Sequence, residues 1–258
     1  MGSWSASQYL QFGEERTRPC HDLAARVLVP EVRRIADLGC GPGNSTEVLA
    51  KRWPAASITG VDSSAEMLDT ARENHPAWRW EHADITEWAA ATREPYDLVF
   101  SNAALQWVPD PATVLPRLMA KVAPDGAFAV QVPGYDSPAH RISREMAASP
   151  VWQHRFPSGV TGDWHTHEIA FYYDILAPHC SRLDMWETTY QHILPDQPSI
   201  VEWYKGTGLR PYLAALTDTG ECDRFLAEYL ERLRPAYPVR ASGRVLFPFR
   251  RLFWVAYR

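Results

Sequence analysis

Lysine is scarce in this chain: of 26 basic residues, only Lys51, Lys121 and Lys205 are not arginine. Arginine suits bidentate carboxylate or phosphate recognition; a genome biased toward arginine codons is the alternative source of the bulk excess, so individual arginines have to be judged by position. Cysteine is scarce as well. Cys20, Cys40, Cys180 and Cys222 lie far apart and form no Cys-x-x-Cys, which excludes a disulfide framework and a zinc site. No carboxylate or cysteine cluster with ligand spacing completes His165-x-His167, so no metal is expected. No apolar run approaches the ~18 residues of a membrane span. Residues 1–10 are polar and aromatic, without the basic start and apolar stretch of a secretory signal. Nor is there a surplus of positive charge, and a net charge of -5 argues against a nucleic-acid partner. The expectation is a cytoplasmic protein with no membrane or nucleic-acid partner, a monomer or weak homo-oligomer.

What is present is enough for a full core: 258 residues, 46% of them hydrophobic, suit one domain or one domain with a cap. The punctuation alternates strand and helix. Strands are expected at 35–38, 57–62, 78–83, from 96, at 127–132, 183–194 and 244–257. Helices are expected at 19–29, 45–53, 114–122, 197–207, 211–216 and 221–234, with Pro124-Asp125-Gly126 as a turn. Short loops between alternating elements imply an α/β, Rossmann-like doubly wound sheet of seven strands with helices on both faces, and in such a fold the last strand typically inserts antiparallel. The alternation breaks at Pro133-Gly134, and 137–180 reads as helical stretches around a loop rich in Pro, Gly, Trp and His, an inserted cap. A single domain follows: 1–30 as N-terminal lid helices, 31–135 as a cofactor-binding core, 136–181 as the helical cap, and 182–258 as the remaining sheet with substrate-side helices. Trp4, Tyr9 and Phe12 need a surface to cover, which either a lid over the cofactor mouth or an ordinary edge helix would supply.

The chain is organised around Ile35-Ala36-Asp37-Leu38-Gly39-Cys40-Gly41-Pro42-Gly43-Asn44-Ser45, a strand, a tight turn and a helix start. A dinucleotide fingerprint spaces its glycines Gly-x-Gly-x-x-Gly; this one runs Gly39-x-Gly41-x-Gly43 with an acid two residues earlier. Asp37 at the end of a buried strand would repel a pyrophosphate, whereas an amino group and a sulfonium would meet it favourably. Asp62 ends the second strand 19 residues after Gly43, where a carboxylate can accept from ribose hydroxyls. A helix cap is the alternative there, better suited to Ser63 or Ser64.

The segment resembles motif I of the class I S-adenosylmethionine-dependent methyltransferases. That resemblance implies S-adenosylmethionine as cofactor and S-adenosylhomocysteine as product. It implies that Asp37, Gly39, Gly41, Gly43, Asp62 and Ser63 bind the cofactor, with Met67 packing on adenine and Asp84 and Ile85 recognising its edge. For Met67 a plain core role, and for Asp84 a helix cap, are the alternatives. Asn102 and Ala103 would meet the methionine moiety, at the switch point between strands 1 and 4, and Trp107 would wall the substrate pocket. Arg16-Thr17-Arg18-Pro19, Tyr172-Tyr173-Asp174, Thr207-Gly208-Leu209-Arg210-Pro211 and Arg251-Leu252-Phe253 extend the likeness to the trans-aconitate methyltransferase family. The implied reaction esterifies one carboxylate of a small tricarboxylate to its monomethyl ester. Such an acceptor, with pKa near ~4, is already ionised and needs no general base, so no catalytic side chain is expected. The expected clamp for the other carboxylates is Arg18 and Arg210, with Arg16, Arg141 and Arg251 next and Tyr9 and Tyr173 as hydroxyl donors. The alternatives are the same fold acting on another acceptor, carrier-bound or small, and a non-catalytic cofactor-binding protein.

Overall fold

The computed structural model describes residues 13–91, 94–134, 136–156, 166–216 and 218–258, and the side chains from Thr17 onward. Helix α1 (Gly13–Arg26) leads into β1 (Arg34–Leu38), α2 (Asn44–Arg52), β2 (Ser57–Asp62), α3 (Ala65–Asn74), β3 (Arg79–His82), α4 (Ile85–Ala90) and β4 (Tyr96–Asn102). There follow α5 (Pro111–Met119), β5 (Val122–Pro133), α6 (Pro138–Ala148), α7 (Ile169–Leu176), β6 (Arg182–Leu194), α8 (Gln197–Lys205), α9 (Arg210–Ala215), α10 (Thr219–Ala236) and β7 (Val245–Tyr257). The seven strands form one sheet in the order β3-β2-β1-β4-β5-β7-β6, in which β7 alone runs antiparallel to its neighbours. The order reverses between β1 and β4, where an open parallel sheet leaves its crevice.

Helices cover both faces, as the alternation implies. Ile35, Leu98, Phe100, Ala129, Phe253 and Val255 pack under α1 and α2 on one face. Ala36, Val99, Phe128, Val130 and Trp254 pack under α4, α5 and α7 on the other. A period of two decides which strand residue goes where.

Beyond Arg251 the last strand outruns β5, whose pairing ends at Pro133↔Arg251, while β6 and β7 stay paired as far as Leu194↔Val245. This projecting two-stranded ribbon carries a second apolar core, in which α6, α8, α9 and α10 pack around Trp152, Trp203, Phe225 and Phe247. The segment expected as one cap is therefore divided. Its first half, α6 with Trp152 and Phe156, joins the ribbon's core, and its second half, α7, returns to the sheet, where Tyr172 stacks on Trp254 at 4.6 Å.

Three boundaries differ from the sequence expectation. Helix α1 runs unbroken through Pro19. Helix α5 starts at Pro111 because Asp110, at φ 49°, caps it and accepts from Thr113 N–H. The expected turn at 124–126 is an excursion within β5. There the register with β4 jumps from Tyr96↔Val122 to Leu98↔Ala127, and a Cβ on Gly126 would lie 2.7 Å from the Asp97 carbonyl. Among the described residues, no helix is long and apolar enough to cross a membrane. Truncating Trp254, fully buried between Phe128 and Tyr172, should cost about 3–5 kcal/mol. Urea denaturation of Trp254→Ala checks this.

Candidate active site

The glycine loop turns at the C-terminal edge of β1 with Gly39, Gly41 and Gly43 all at positive φ, 71°, 54° and 101°. Gly39 is fixed by packing as well, since a Cβ there would fall 2.1 Å from that of Ala104. Around Gly41 the same construction meets nothing within 4 Å, which leaves its backbone open to a ligand. Asp62 holds the loop from the side: its carboxylate accepts from Gly41 N–H at 2.8 Å and from Ser64 N–H at 2.8 Å. Burial raises its pKa above the usual carboxylate range despite those bonds. The cleft is lined by Gly39, Cys40, Gly41, Asn44, Ser45 and Asn102, and closed by Thr17 and Cys20 of α1. Helix α1 thus borders the cleft; Trp4, Tyr9 and Phe12 fall outside the described residues, as does the side chain of Arg16.

Asp37 is fully buried. Its Oδ2 accepts from Ser45 Oγ at 2.7 Å and Thr46 Oγ1 at 2.6 Å, while Oδ1 is buried with no hydrogen-bond partner. Burial pushes the carboxyl up to about 6, the two hydroxyls oppose that, and the charge of Asp62 adds to it. Asn102 Oδ1 is a second buried acceptor without a partner. Two buried acceptors, one of them a carboxylate held against its ordinary pKa, fit the cationic amino and sulfonium groups of S-adenosylmethionine.

The other cofactor positions each have a visible local function. Asp84 caps α4 by accepting from Thr86 N–H at 2.7 Å, with Ile85 buried behind it. Ser64 rather than Ser63 caps α3, accepting from Met67 N–H, and Met67 is buried. Ser63 is exposed, its carbonyl 2.9 Å from His82 Nε2. Ala103 takes φ 58° and donates its N–H to the Gln131 carbonyl at 2.9 Å. Trp107 is half-buried in the short turn that follows.

Strand alternation then extends the site along one face. Asp37, Asn102, Gln131 and Arg251 occupy the α1-facing phase of β1, β4, β5 and β7, and Tyr190 and His192 that of β6. Gln131 pairs in register with Asn102, so the two halves of this polar layer adjoin. Gln131 is fully buried; its Oε1 accepts from Arg251 Nη1 at 3.4 Å, while its Nε2 is a buried donor without a partner. Arg251 is itself buried, its guanidinium 4.5 Å from the Phe249 ring centroid. From α1, Arg18 lies 5.1 Å from the ring of Tyr190, whose hydroxyl donates to Asp22. Acceptors gather at β1 and β4, donors and guanidiniums from β5 to β6.

Of the expected substrate residues, the structure brings Arg18 and Arg251 into this layer. Arg210 stands at the first turn of α9, half-buried, with burial lowering its pKa. Arg141 is exposed and paired with Asp136 at 3.3 Å, and Tyr173 is 55% exposed because Tyr172 takes the inward position of α7. The sequence reading missed Gln131, Tyr190 and His192. For Gln131 the signal was a polar residue at an in-phase position of an apolar run; β6 is of mixed polarity and gave no such signal for Tyr190 and His192. Among the described residues no cluster suited to a metal ion occurs. His167 stacks on Phe171 at 3.8 Å, and His165 lies outside the described residues.

A family model described as a methyltransferase domain matches residues 35–126. Among solved structures, the YcgJ protein of Bacillus subtilis superposes with a TM-score of 0.59 at 12% identity, over 93% of this chain and 98% of that one. Haemonchus contortus phosphoethanolamine N-methyltransferase 2, in complex with phosphomonomethylethanolamine and S-adenosylhomocysteine, gives 0.57 at 15% identity, over 93% of this chain and 52% of that one. Fold, glycine loop and family match together define a class I S-adenosylmethionine-dependent methyltransferase. Curated relatives bearing the name trans-aconitate 2-methyltransferase include those of Azoarcus sp. strain BH72, 49% identical over 100% of both chains, and of Yersinia pseudotuberculosis, 43% identical over 100% of this chain and 99% of that one. The chain belongs to the trans-aconitate 2-methyltransferase family.

Because the folded-state pKa of Asp37 lies above its unfolded value, folding at pH 8 carries the cost of a buried charge, roughly 3 kcal/mol at most. That cost is relieved as pH falls through about 6. Asp37→Asn should therefore raise the melting temperature of the ligand-free protein at pH 8, by an increment that shrinks by pH 5, while weakening S-adenosylmethionine binding at least ten-fold. Scanning calorimetry and titration calorimetry check the two halves.

Proposed function

We propose that the chain catalyses methyl transfer from S-adenosylmethionine to one carboxylate of trans-aconitate, releasing the monomethyl ester and S-adenosylhomocysteine. The observation that carries this reading is the adjoining of an acceptor-lined half and a donor-lined half on one sheet face, with Asn102 and Gln131 in register at the boundary. A cationic methyl donor and a polyanionic acceptor are the pair such a division suits.

Bound S-adenosylmethionine supplies an electrophilic methyl group on a sulfonium sulfur. Asp37, the loop at Gly39, Gly41 and Gly43, and Asn102 with Ala103 are the residues we assign to its methionine end. Asp62 with Ser63 is assigned to its ribose, and Met67, Asp84 and Ile85 to its adenine. On the acceptor side, Arg18 and Arg251 are assigned to the carboxylates that do not react, and Arg210 to entry from the helical side. A guanidinium on the attacking oxygen would withdraw the charge that makes it a nucleophile. The Gln131 amide, a neutral donor, can orient that oxygen and leave its charge in place. No proton has to be removed from a substrate ionised with a pKa near ~4, so the chain's work is alignment and the exclusion of water. Helix α1 contributes to both, because Thr17 and Cys20 close the cofactor cleft and Arg18 reaches the acceptor side from the same turn.

Radiolabelled methyl transfer across a panel of di- and tricarboxylates tests the reaction. Base-labile label on trans-aconitate supports it, and base-stable label, or label on an amine or phenol alone, overturns it. Arg18→Gln and Arg251→Gln should each raise KM for trans-aconitate about ten-fold or more, with S-adenosylmethionine affinity changed less than two-fold. Arg141→Gln and Tyr173→Phe, outside the polar layer, should leave that KM within two-fold.

A further inference from the structure

His192 is 6% exposed on the ribbon that projects past β5. Its ring lies 4.9 Å from Trp203 and 6.0 Å from Phe247, a box that phenylalanine would fill with no polar cost. Yet its Nε2 is buried with no hydrogen-bond partner in the protein, and a buried polar atom in that condition calls for an explanation. The charged and titratable groups around it are Arg251 from β7, Arg18 from α1 and, on its own strand, Tyr190, whose hydroxyl is bound to Asp22 of α1. Burial first, and then the two guanidiniums, push its pKa down to about 4, so the imidazole is neutral at physiological pH. A neutral imidazole near two arginines repels neither, and it can donate one N–H to an anion that both arginines attract.

The position along the sheet assigns it a particular partner. Asn102 and Gln131 meet where the acceptor and donor halves adjoin. His192 is on β6, two strands beyond β5 in the sheet order, and pairs with Phe247, past the last residue that β5 reaches. It therefore lies farther from the Asp37–Asn102 end of the face than Gln131 and Arg251 do.

We propose that His192 is a specificity-determining residue that receives the remote carboxylate of the tricarboxylate through Nε2–H, flanked by Arg18 and Arg251. This rests on the reading of the chain as a trans-aconitate methyltransferase. It adds that tricarboxylates are preferred over dicarboxylates because the site registers the distance from the reacting to the remote carboxylate. A dicarboxylate that keeps the reacting end and lacks the remote group makes no use of His192.

The test uses the full chain with His192→Met, which keeps the volume and removes the donor, and His192→Gln, which restores an N–H near Nε2. Trans-aconitate serves as substrate. Mesaconate and itaconate, which lack one or the other terminal carboxylate, serve as competitive inhibitors. The proposal expects His192→Met to raise KM for trans-aconitate about ten- to hundred-fold with kcat within three-fold. It expects at least one dicarboxylate Ki to stay within two-fold, and His192→Gln to recover most of the loss. Equal weakening of tricarboxylate and both dicarboxylates, or an unchanged KM for trans-aconitate in His192→Met, overturns it while the assigned reaction stands. Absence of any base-labile methyl ester from the unaltered protein overturns the reaction, and this inference with it.

Discussion

A carboxylate sits at the centre of this structure in a place where carboxylates are costly. Asp37 ends a central strand, fully buried, with two hydroxyls of the following helix on one oxygen and none on the other. The strand, the glycine turn and the start of α2 are held in register by those two hydroxyl bonds, so the loop's shape and the site's negative charge come from one residue. A protein selected for stability alone would place an apolar or neutral residue there. A cationic ligand would satisfy the unmet oxygen, and the space around Gly41 is open for its approach.

From that carboxylate, the alternation of the strands does the rest. Every second residue of β1, β4, β5, β7 and β6 faces α1, and toward the C-terminal edge those positions become polar in sequence: acid, amide, amide, guanidinium, imidazole. The sheet thereby carries a gradient from acceptor to donor across its own strand order. No side chain has to reach across the fold, and the site inherits the rigidity of a hydrogen-bonded sheet. The ribbon of β6 and β7 lengthens this surface past the end of β5, and the second apolar core holds the ribbon in place.

Much of this was legible in the residues. The order of elements and the glycine turn follow from period, punctuation and loop chemistry, the antiparallel last strand from the fold that the resemblance implies, and Asp62 and Asp84 stand near strand ends where spacing puts them. The donor half was harder to read. Gln131 lies in an apolar run with no local partner to mark it, and His192 is one of several polar residues on a strand of mixed polarity. Their meaning depends on register with distant strands, Gln131 meeting Arg251 across 120 residues. Tyr172 and Tyr173 show the same limit at smaller scale, since a helix turns adjacent aromatics to opposite environments and only packing says which is inside. The division of 136–181 between two cores was out of reach for a similar reason: both halves are amphipathic helices, and composition does not say which apolar surface each will meet.

The account stands on the adjoining of two oppositely lined halves, and a crystal structure with S-adenosylhomocysteine and trans-aconitate tests that directly. The account predicts the thioether end of the cofactor product beside Asp37 and Asn102, and the tricarboxylate against Gln131, Arg251, Arg18 and His192. A tricarboxylate bound among α6, α8 and α9 with Gln131 and Arg251 untouched would contradict it.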